Sequence, residues 1–234
     1  MKSTIRFFLC ITLVIFVSSC SSDDDIASDA EIANEEVIEY FKDIALGFEF
    51  GSASRVTRKW NTDMKIFVGG NPSDALTNEL NKIVNEINNL TTDGFSVSIV
   101  DSSSQSNFFI FFGSGDDYAD LYPGQEGFVE SNWGLFSIFW LDNQLNSGHM
   151  YVDIFRANAI EQRHLLREEL TQSLGLARDS FRYDDSIFQS EWTRTTEYSE
   201  IDRELIRLLY HPDMNVGLDE NEVDPILRNI LFAN

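Results

Sequence analysis

The absence of cysteine after Cys20 is the feature that most constrains how this chain can fold. Cys10 and Cys20 are the only cysteines in the sequence. No disulfide or cysteine-based metal site can therefore brace the remainder, and thiol catalysis is excluded as well. The roughly 200 residues concerned are enough for one sizeable apolar core. The sequence has nineteen phenylalanines and four tryptophans, and those after Cys20 supply that core.

The first twenty residues have the pattern of an export signal. Lys2 and Arg6 precede an apolar run over Phe7–Val17, which is too short to cross a bilayer. The next residues, Val17-Ser18-Ser19-Cys20, resemble the bacterial lipobox. That resemblance implies cleavage after residue 19 and a lipid on Cys20, whose acyl chains would hold the protein on a membrane. An ordinary signal peptide is the alternative.

Residues 20–31 are predicted to form a lipidated, acidic tether, and residues 32–234 the folded domain. The run Ser21-Ser22-Asp23-Asp24-Asp25 resembles the surface-export tag of Bacteroidetes lipoproteins. This resemblance implies an outer-membrane protein displayed on the cell surface, with outer-membrane lipid as its partner through the acyl anchor. The periplasmic face is the alternative location, because an acidic, serine-rich tail is also an ordinary solvated tether.

The charge of the chain restricts its partners. The full sequence carries 17 basic and 39 acidic residues, a net charge of −22, and loss of Lys2 and Arg6 with the signal makes this −24. Nucleic acid and anionic lipid surfaces are therefore excluded as partners. Cations, basic peptides and neutral glycans remain.

Hydrophobic periodicity predicts an α+β fold with a mixed sheet in a single domain. Helices are predicted over residues 32–48, from Ser73 to 90, and over 159–174, 199–209 and 222–231. Strands are predicted over residues 60–68, 95–100, 107–112, 135–140 and 149–155.

The helix after the last strand is the most informative segment. Asn158 and Glu161 have capping-box spacing, and Gly175 fits the position after the helix end. One face carries the buried stripe Leu165, Leu166, Leu170 and Leu174. The opposite face carries a polar row consisting of His164, Glu168, Glu169 and Gln172. Such a row is either a solvated face or the wall of a cleft.

The spacing of this row resembles the zincin pattern His-Glu-x-x-His-x-x-Gly, in which two histidines bind zinc and the glutamate is the general base. The sequence keeps Glu169, Gly175 and the preceding strand, but Glu168 and Gln172 stand at the histidine positions. The resemblance therefore implies a zincin-like architecture without zinc. We expect no metal site and no cofactor apart from the lipid on Cys20.

A second resemblance is to a family of bacterial lipoproteins and secreted proteins of unknown function. It rests on the motif Glu168-Glu169-Leu-Thr-Gln172-Ser-Leu174-Gly175-Leu176, followed closely by Asp179-Ser180. Arg58-Lys59-Trp60 and Leu209-Tyr210-His211-Pro212, with Gly217, are flanking parts of the likeness. It covers residues 35–230, approximately, and implies no settled activity.

Other candidate sites are weaker. His149, His164 and His211 could in principle assemble a metal site, but the favoured interpretation is three unrelated surface or strand histidines. Asp116-Asp117 and Asp184-Asp185 lack the regular spacing of a calcium loop, which favours solvated loops.

Two functional hypotheses follow. The first is a surface-anchored lipoprotein whose degenerate metallopeptidase-like domain is non-catalytic and binds a peptide or glycan. The second is a hydrolase in which Glu169, with Glu168 and Gln172, performs acid–base chemistry, with or without a metal. A purely structural envelope protein is a third possibility.

Overall fold

Six strands form one mostly parallel sheet in the computed structural model, which describes residues 29–49 and 51–233. The strands are β1 (Lys59–Trp60), β2 (Met64–Gly70), β3 (Val97–Ile99), β4 (Phe108–Gly113), β5 (Gly134–Leu141) and β6 (Gln144–Asp153). Their order is β1-β6-β4-β2-β3, all parallel, and β5 pairs antiparallel with β6. The predicted α+β fold with a mixed sheet is confirmed.

Helices pack around this sheet. Those in the described residues are α1 (Asp29–Ala45), α2 (Asp74–Leu90), α3 (Gly115–Leu121), α4 (Glu126–Val129), α5 (Ala159–Gln172), α6 (Glu200–Leu209) and α7 (Glu220–Phe232). None of the helices described is both long enough and apolar enough to cross a membrane.

The central strand β4 shows why the two faces of the sheet differ. Phe108, Ile110 and Phe112 point into the main core, which also contains the buried faces of α2 and α5. Phe111 points to the other face, where a smaller aromatic cluster forms around Tyr118 and Tyr151. Alternation along the strand thus builds two cores, as expected for a strand that is covered on both faces.

Two predicted strands differ from the structure in their extent. The strand predicted over 60–68 is divided into β1 and β2, because Asp63 turns the chain and its carboxylate accepts hydrogen bonds from Ser96. β6 starts at Gln144, because a turn with positive φ at Asp142 and Asn143 allows a tight hairpin. The loop-like residues before His149 therefore lie in the strand.

The remaining differences are at the start of the domain and after β4. α1 begins at Asp29, three residues before the predicted domain start at Ile32. The short helices α3 and α4 were not predicted, because neither is long enough to show a helical period. The signal peptide, Cys20 and the acidic run Ser21 to Asp25 lie outside the described residues.

Candidate binding cleft

Both ends of α5 are fixed by the residues predicted to cap it. The side chain of Asn158 accepts hydrogen bonds from the N–H groups of Ile160 and Glu161, and the Glu161 carboxylate accepts one from Asn158 N–H at 2.9 Å. Gly175 has φ of 113°, and a Cβ there would lie 1.9 Å from the carbonyl oxygen of Arg58. Only glycine satisfies both requirements. These contacts fix the position of α5 and therefore the direction in which its polar row faces.

Trp60 and Tyr210, from the two segments that flank the central motif in the family resemblance, both contact the C-terminal end of α5. The Trp60 indole N–H donates to the Ser173 carbonyl at 2.9 Å, and the Tyr210 hydroxyl donates to the Leu174 carbonyl at 2.8 Å. Carbonyls at a helix end have no partner within the helix, so these contacts satisfy them. The early and late motifs therefore have a structural role beside the central one.

The inward face of α5 carries a buried cation whose charge is compensated by two carboxylates. The predicted leucine stripe is buried, as expected. Arg167 is also fully buried, and its guanidinium donates to Glu79 at 2.7 Å and to Glu86. The ring of Tyr198 lies 4.4 Å from the guanidinium carbon. A buried cation is acceptable here because two carboxylates and an aromatic ring surround it.

The polar row on the other face lines a cleft of about 1170 Å³. His164, Glu168, Glu169 and Gln172 form one wall, and the whole of β5 up to Trp140 forms another. Residues 48, 49, 51–53 and 189–192 contribute to the rim. The choice left open by the sequence is thus decided, because the row faces a cavity rather than bulk solvent.

His164 and Glu168 form a pair within this wall. The Nδ1 atom of His164 lies 2.8 Å from the Thr195 carbonyl, so it carries a proton, and Nε2 faces Glu168 Oε2 at 3.2 Å. Burial alone would lower the pKa of His164, but the hydrogen bond to Glu168, the charge of Glu168 and the Thr195 carbonyl together raise it. The charge of Glu168 is therefore partly matched by its own helix.

Glu169 has no such match. Its side chain is 8% exposed, and no hydrogen bond or ion pair to its carboxyl is found within residues 29–49 and 51–233. Arg163, Arg167 and Arg178, the arginines nearest to it in sequence, form no ion pair with it. Burial raises the pKa of Glu169 well above its ordinary value, and the charges of Glu168, Asp179 and Glu49 raise it further. The group is an unpaired acid inside a protein cavity.

Gln172 and Asp179 complete the acidic wall. The Gln172 amide donates to Asp179 Oδ1 at 2.6 Å. Burial and the charges of Glu168 and Glu49 raise the pKa of Asp179 to about 7, against the hydrogen bond from Gln172 and the charge of His164. The structure therefore adds Asp179 and Glu49 to the predicted set. Asp179 could have been found from the sequence, because Asp179-Ser180 is part of the resemblance to the family. Glu49 lies in a loop far away in sequence, and no motif pointed to it.

β5 presents a free edge to the cleft. In the part of the chain that the structure describes, it pairs only with β6. Asp153 N–H donates to the Trp133 carbonyl, so the backbone groups of Leu135 and Ser137 face β6 by alternation. The backbone groups of Gly134, Phe136 and Ile138 consequently point away from the sheet, towards the cleft.

The start of β5 touches Glu169 directly. A Cβ built on Gly134 would lie 2.6 Å from Glu169 Oε1 and 2.9 Å from Leu165 Cδ2. Glycine at this position is what lets the carboxyl lie against the backbone of the edge strand.

Aromatic side chains line the rim. Trp192 is 54% exposed and packs edge-on against His164 and Trp133. At the other end, Trp140 stacks on Phe48, and the buried guanidinium of Arg58 lies over both rings. These rings give the cleft apolar walls around its acidic centre.

The remaining sequence candidates lie elsewhere. His149 Nδ1 is 2.6 Å from the Tyr118 hydroxyl under a stacked Tyr122 ring, and burial lowers its pKa to about 4. His211 follows α6, and Asp184 and Asp185 are exposed loop residues. Ser114 caps α3: its hydroxyl accepts a hydrogen bond from Asp117 N–H and donates one to the Asp117 carboxylate. Of the three histidines, only His164 is in the cleft.

The residues in the cleft do not fit zinc. No group of three or more histidine, cysteine, aspartate or glutamate side chains in the described residues has the geometry to hold a metal ion. Glu168 is engaged by His164, and Gln172 presents its amide to Asp179.

The chain belongs to the family described as "Protein of unknown function (DUF2927)", whose model matches residues 34–229. This confirms the expectation of a family of unknown function with nearly the predicted extent. No curated protein matched the chain. The family description names no activity.

Proposed function

We propose that this chain is a surface-anchored lipoprotein whose domain is a degenerate, non-catalytic zincin-like module that binds a peptide or glycan in its cleft. The proposal depends above all on one observation: the polar row of α5 lines a large cleft beside an unpaired sheet edge. The zincin-like reading is supported by Glu169 on a helix that follows the last strand and ends at Gly175.

Of the two ligand classes, the edge of β5 favours a peptide. An extended peptide can add a strand to a free sheet edge through main-chain hydrogen bonds. The outward backbone groups of Gly134, Phe136 and Ile138 provide such a ladder, and the aromatic rim provides pockets for side chains. A glycan would use the exposed rings but not the ladder.

The binding test uses the domain without its signal and tether. A library of acetylated hexapeptides and an oligosaccharide array are screened for binding. Peptide ligands are then remade with N-methyl groups at alternate residues. Methylation in one register should abolish binding, because it removes the donors that face β5, and methylation in the other register should be tolerated. Equal effects of both registers would exclude strand addition, and failure of both screens would exclude the binding function.

The anchor is tested separately in the full chain. Cys20→Ser should abolish labelling by a radioactive fatty acid and release the protein from membranes. Replacing Asp23, Asp24 and Asp25 with alanine should keep the lipid but remove protease access on whole cells. A labelled, membrane-bound Cys20→Ser protein would contradict the anchor, and unchanged protease access would contradict the export signal.

A hydrolase is the second candidate, and the raised pKa values of Glu169 and Asp179 favour it. Carboxyls in a cleft whose pKa values are raised above the ordinary range are suited to proton transfer. In this reading Glu169 donates a proton to a leaving group, while Glu168 and Gln172 position the substrate. Turnover of a library member by the wild type, lost in Glu169→Gln, would support it. Binding of the same member without turnover would favour the first candidate.

A further inference from the structure

The acidic wall of the cleft contains more carboxyls than basic groups. Glu49, Glu168, Glu169 and Asp179 influence one another's titration, whereas the basic groups that act on them are His164 and Arg178. His164 is engaged with Glu168, and Arg178 acts on Glu49. Glu169 and Asp179 are therefore left without a basic partner among the described residues.

Glu169 is the strongest sign that a ligand completes this arrangement. More than nine-tenths of its side chain is buried, its carboxyl has no partner, and it borders the cleft. A carboxyl buried without a partner favours its protonated form, because its charged form is costly inside a cavity. A cation placed beside it would stabilise the charged form, so a cationic group is the partner that this arrangement favours.

Geometry indicates how a cation would arrive. The Glu169 carboxyl touches Gly134, at the start of the free edge. A strand added to that edge would lie about 4.8 Å away, which a lysine or arginine side chain spans easily. The exposed ring of Trp192, beside His164, can cover the stem or the cationic head of that side chain.

We infer that the cleft selects peptides carrying a lysine or arginine side chain, whose cationic head pairs with Glu169 and Asp179. This inference rests on the proposed peptide-binding function and adds the chemical class of the ligand. The net charge of the chain, −22, attracts the same class of ligand at long range.

The test compares pairs of peptides that differ in one head group. Peptides from the binding screen are resynthesised with lysine replaced by norleucine, or arginine by citrulline, and dissociation constants are measured by calorimetry at pH 8. The neutral peptide should bind about tenfold more weakly or worse, because a charge-assisted pair is lost. In Glu169→Gln and Asp179→Asn this preference should fall to about twofold, and Asp185→Asn, an exposed control, should retain it.

The preference should also depend on pH. Asp179 is surrounded by Glu49, Glu168, Glu169, His164 and Gln172, and it gains its charge as the pH rises through about 7. Discrimination between the cationic and neutral peptides should therefore be greater at pH 8 than at pH 6 and should change less in Asp179→Asn.

Each outcome has a distinct meaning. Equal affinity for the cationic and neutral peptides would overturn this inference and leave peptide binding intact. A preference that survives in both Glu169→Gln and Asp179→Asn would overturn the assignment to these residues. Absence of any peptide ligand would instead overturn the proposed function.

Discussion

Arg167 and Glu169 are two positions apart on α5, and both are buried, but only one of them is paired. Arg167 contacts Glu79, Glu86 and the Tyr198 ring, whereas Glu169 faces a cleft in which its neighbours Glu168, Asp179 and Glu49 are also acidic. Burial by itself therefore does not separate structure from function here. The presence or absence of a compensating charge does, and a group that is left uncompensated by the fold is suited to a ligand.

The largest expected effect is on the paired side of the helix. Arg167→Leu leaves Glu79 and Glu86 without their cation, so it should destabilise the domain by about 3–5 kcal/mol, measured by urea unfolding. Arg163→Leu is the control on the same helix, since Arg163 makes one long contact with the Ala159 carbonyl. If Arg167→Leu lowers the free energy of unfolding no more than the control does, pairing of Arg167 does not stabilise the domain and the two faces of α5 do not differ in this respect.

In the cleft, removing a charged side chain is expected to stabilise the domain rather than destabilise it. The folded pKa of Asp179 is about 7, above the ordinary 3.8, so the folded state holds an unfavourable carboxylate once the pH passes 7. Asp179→Asn should therefore stabilise the domain by about 2–4 kcal/mol at pH 8. The gain should shrink as the pH falls below 7 and disappear only below the ordinary pKa of 3.8, where the carboxyl is protonated in the unfolded state as well. A destabilised variant at pH 8 would show that Asp179 is a structural group.

Gly134 sharpens the comparison by testing how closely Glu169 lies against the edge strand. Gly134→Ala places a methyl group on Glu169 Oε1 and should cost about 1–3 kcal/mol. In a Glu169→Ala background the cost should fall, giving a coupling above about 0.5 kcal/mol in a double-mutant cycle. Gly124→Ala, where no atom lies within 4 Å of the added carbon, is the matched control. If the two stability losses are simply additive, Gly134 and Glu169 do not interact energetically.

The smallest effect is expected for an ion pair on the surface. Lys82 pairs with Glu197, and the two side chains are 41% and 62% exposed. Solvent screens such a pair, so Lys82→Ala should change stability by less than about 0.5 kcal/mol. Stability is measured by the same urea unfolding. A larger loss would show that exposure of an ion pair does not determine how much it contributes to stability in this domain.

Much of the fold follows from periodicity and from local chemistry in the sequence. The capping box at Asn158, the N-cap at Ser73 and the glycine after α5 are short-range rules, and the structure has all three. The division between β1 and β2 and the start of β6 depend on turns at Asp63 and Asp142, which interrupt or extend an apolar pattern. Those boundaries depend on tertiary contacts that the pattern does not contain.

The candidate site was only half visible in the sequence. Glu168, Glu169 and Gln172 share one helix, so their spacing brings them together without any knowledge of the fold. Glu49 is about 120 residues away in sequence, and it reaches the same cleft only because the loop after α1 folds back towards α5. Arg167 lies only two residues from Glu169 in sequence, but helix geometry turns it to the opposite face, so it does not pair with Glu169.

The open edge of β5 has a consequence for how copies of this protein behave when they are crowded. Exposed edges commonly recruit one another and start uncontrolled assembly. Edge-to-edge pairing here would bring two acidic clefts together, within molecules that each carry a charge of −22. Repulsion between like charges therefore opposes edge-to-edge association. It allows the domain to leave the outer backbone groups of β5 unpaired without aggregating at high local concentration.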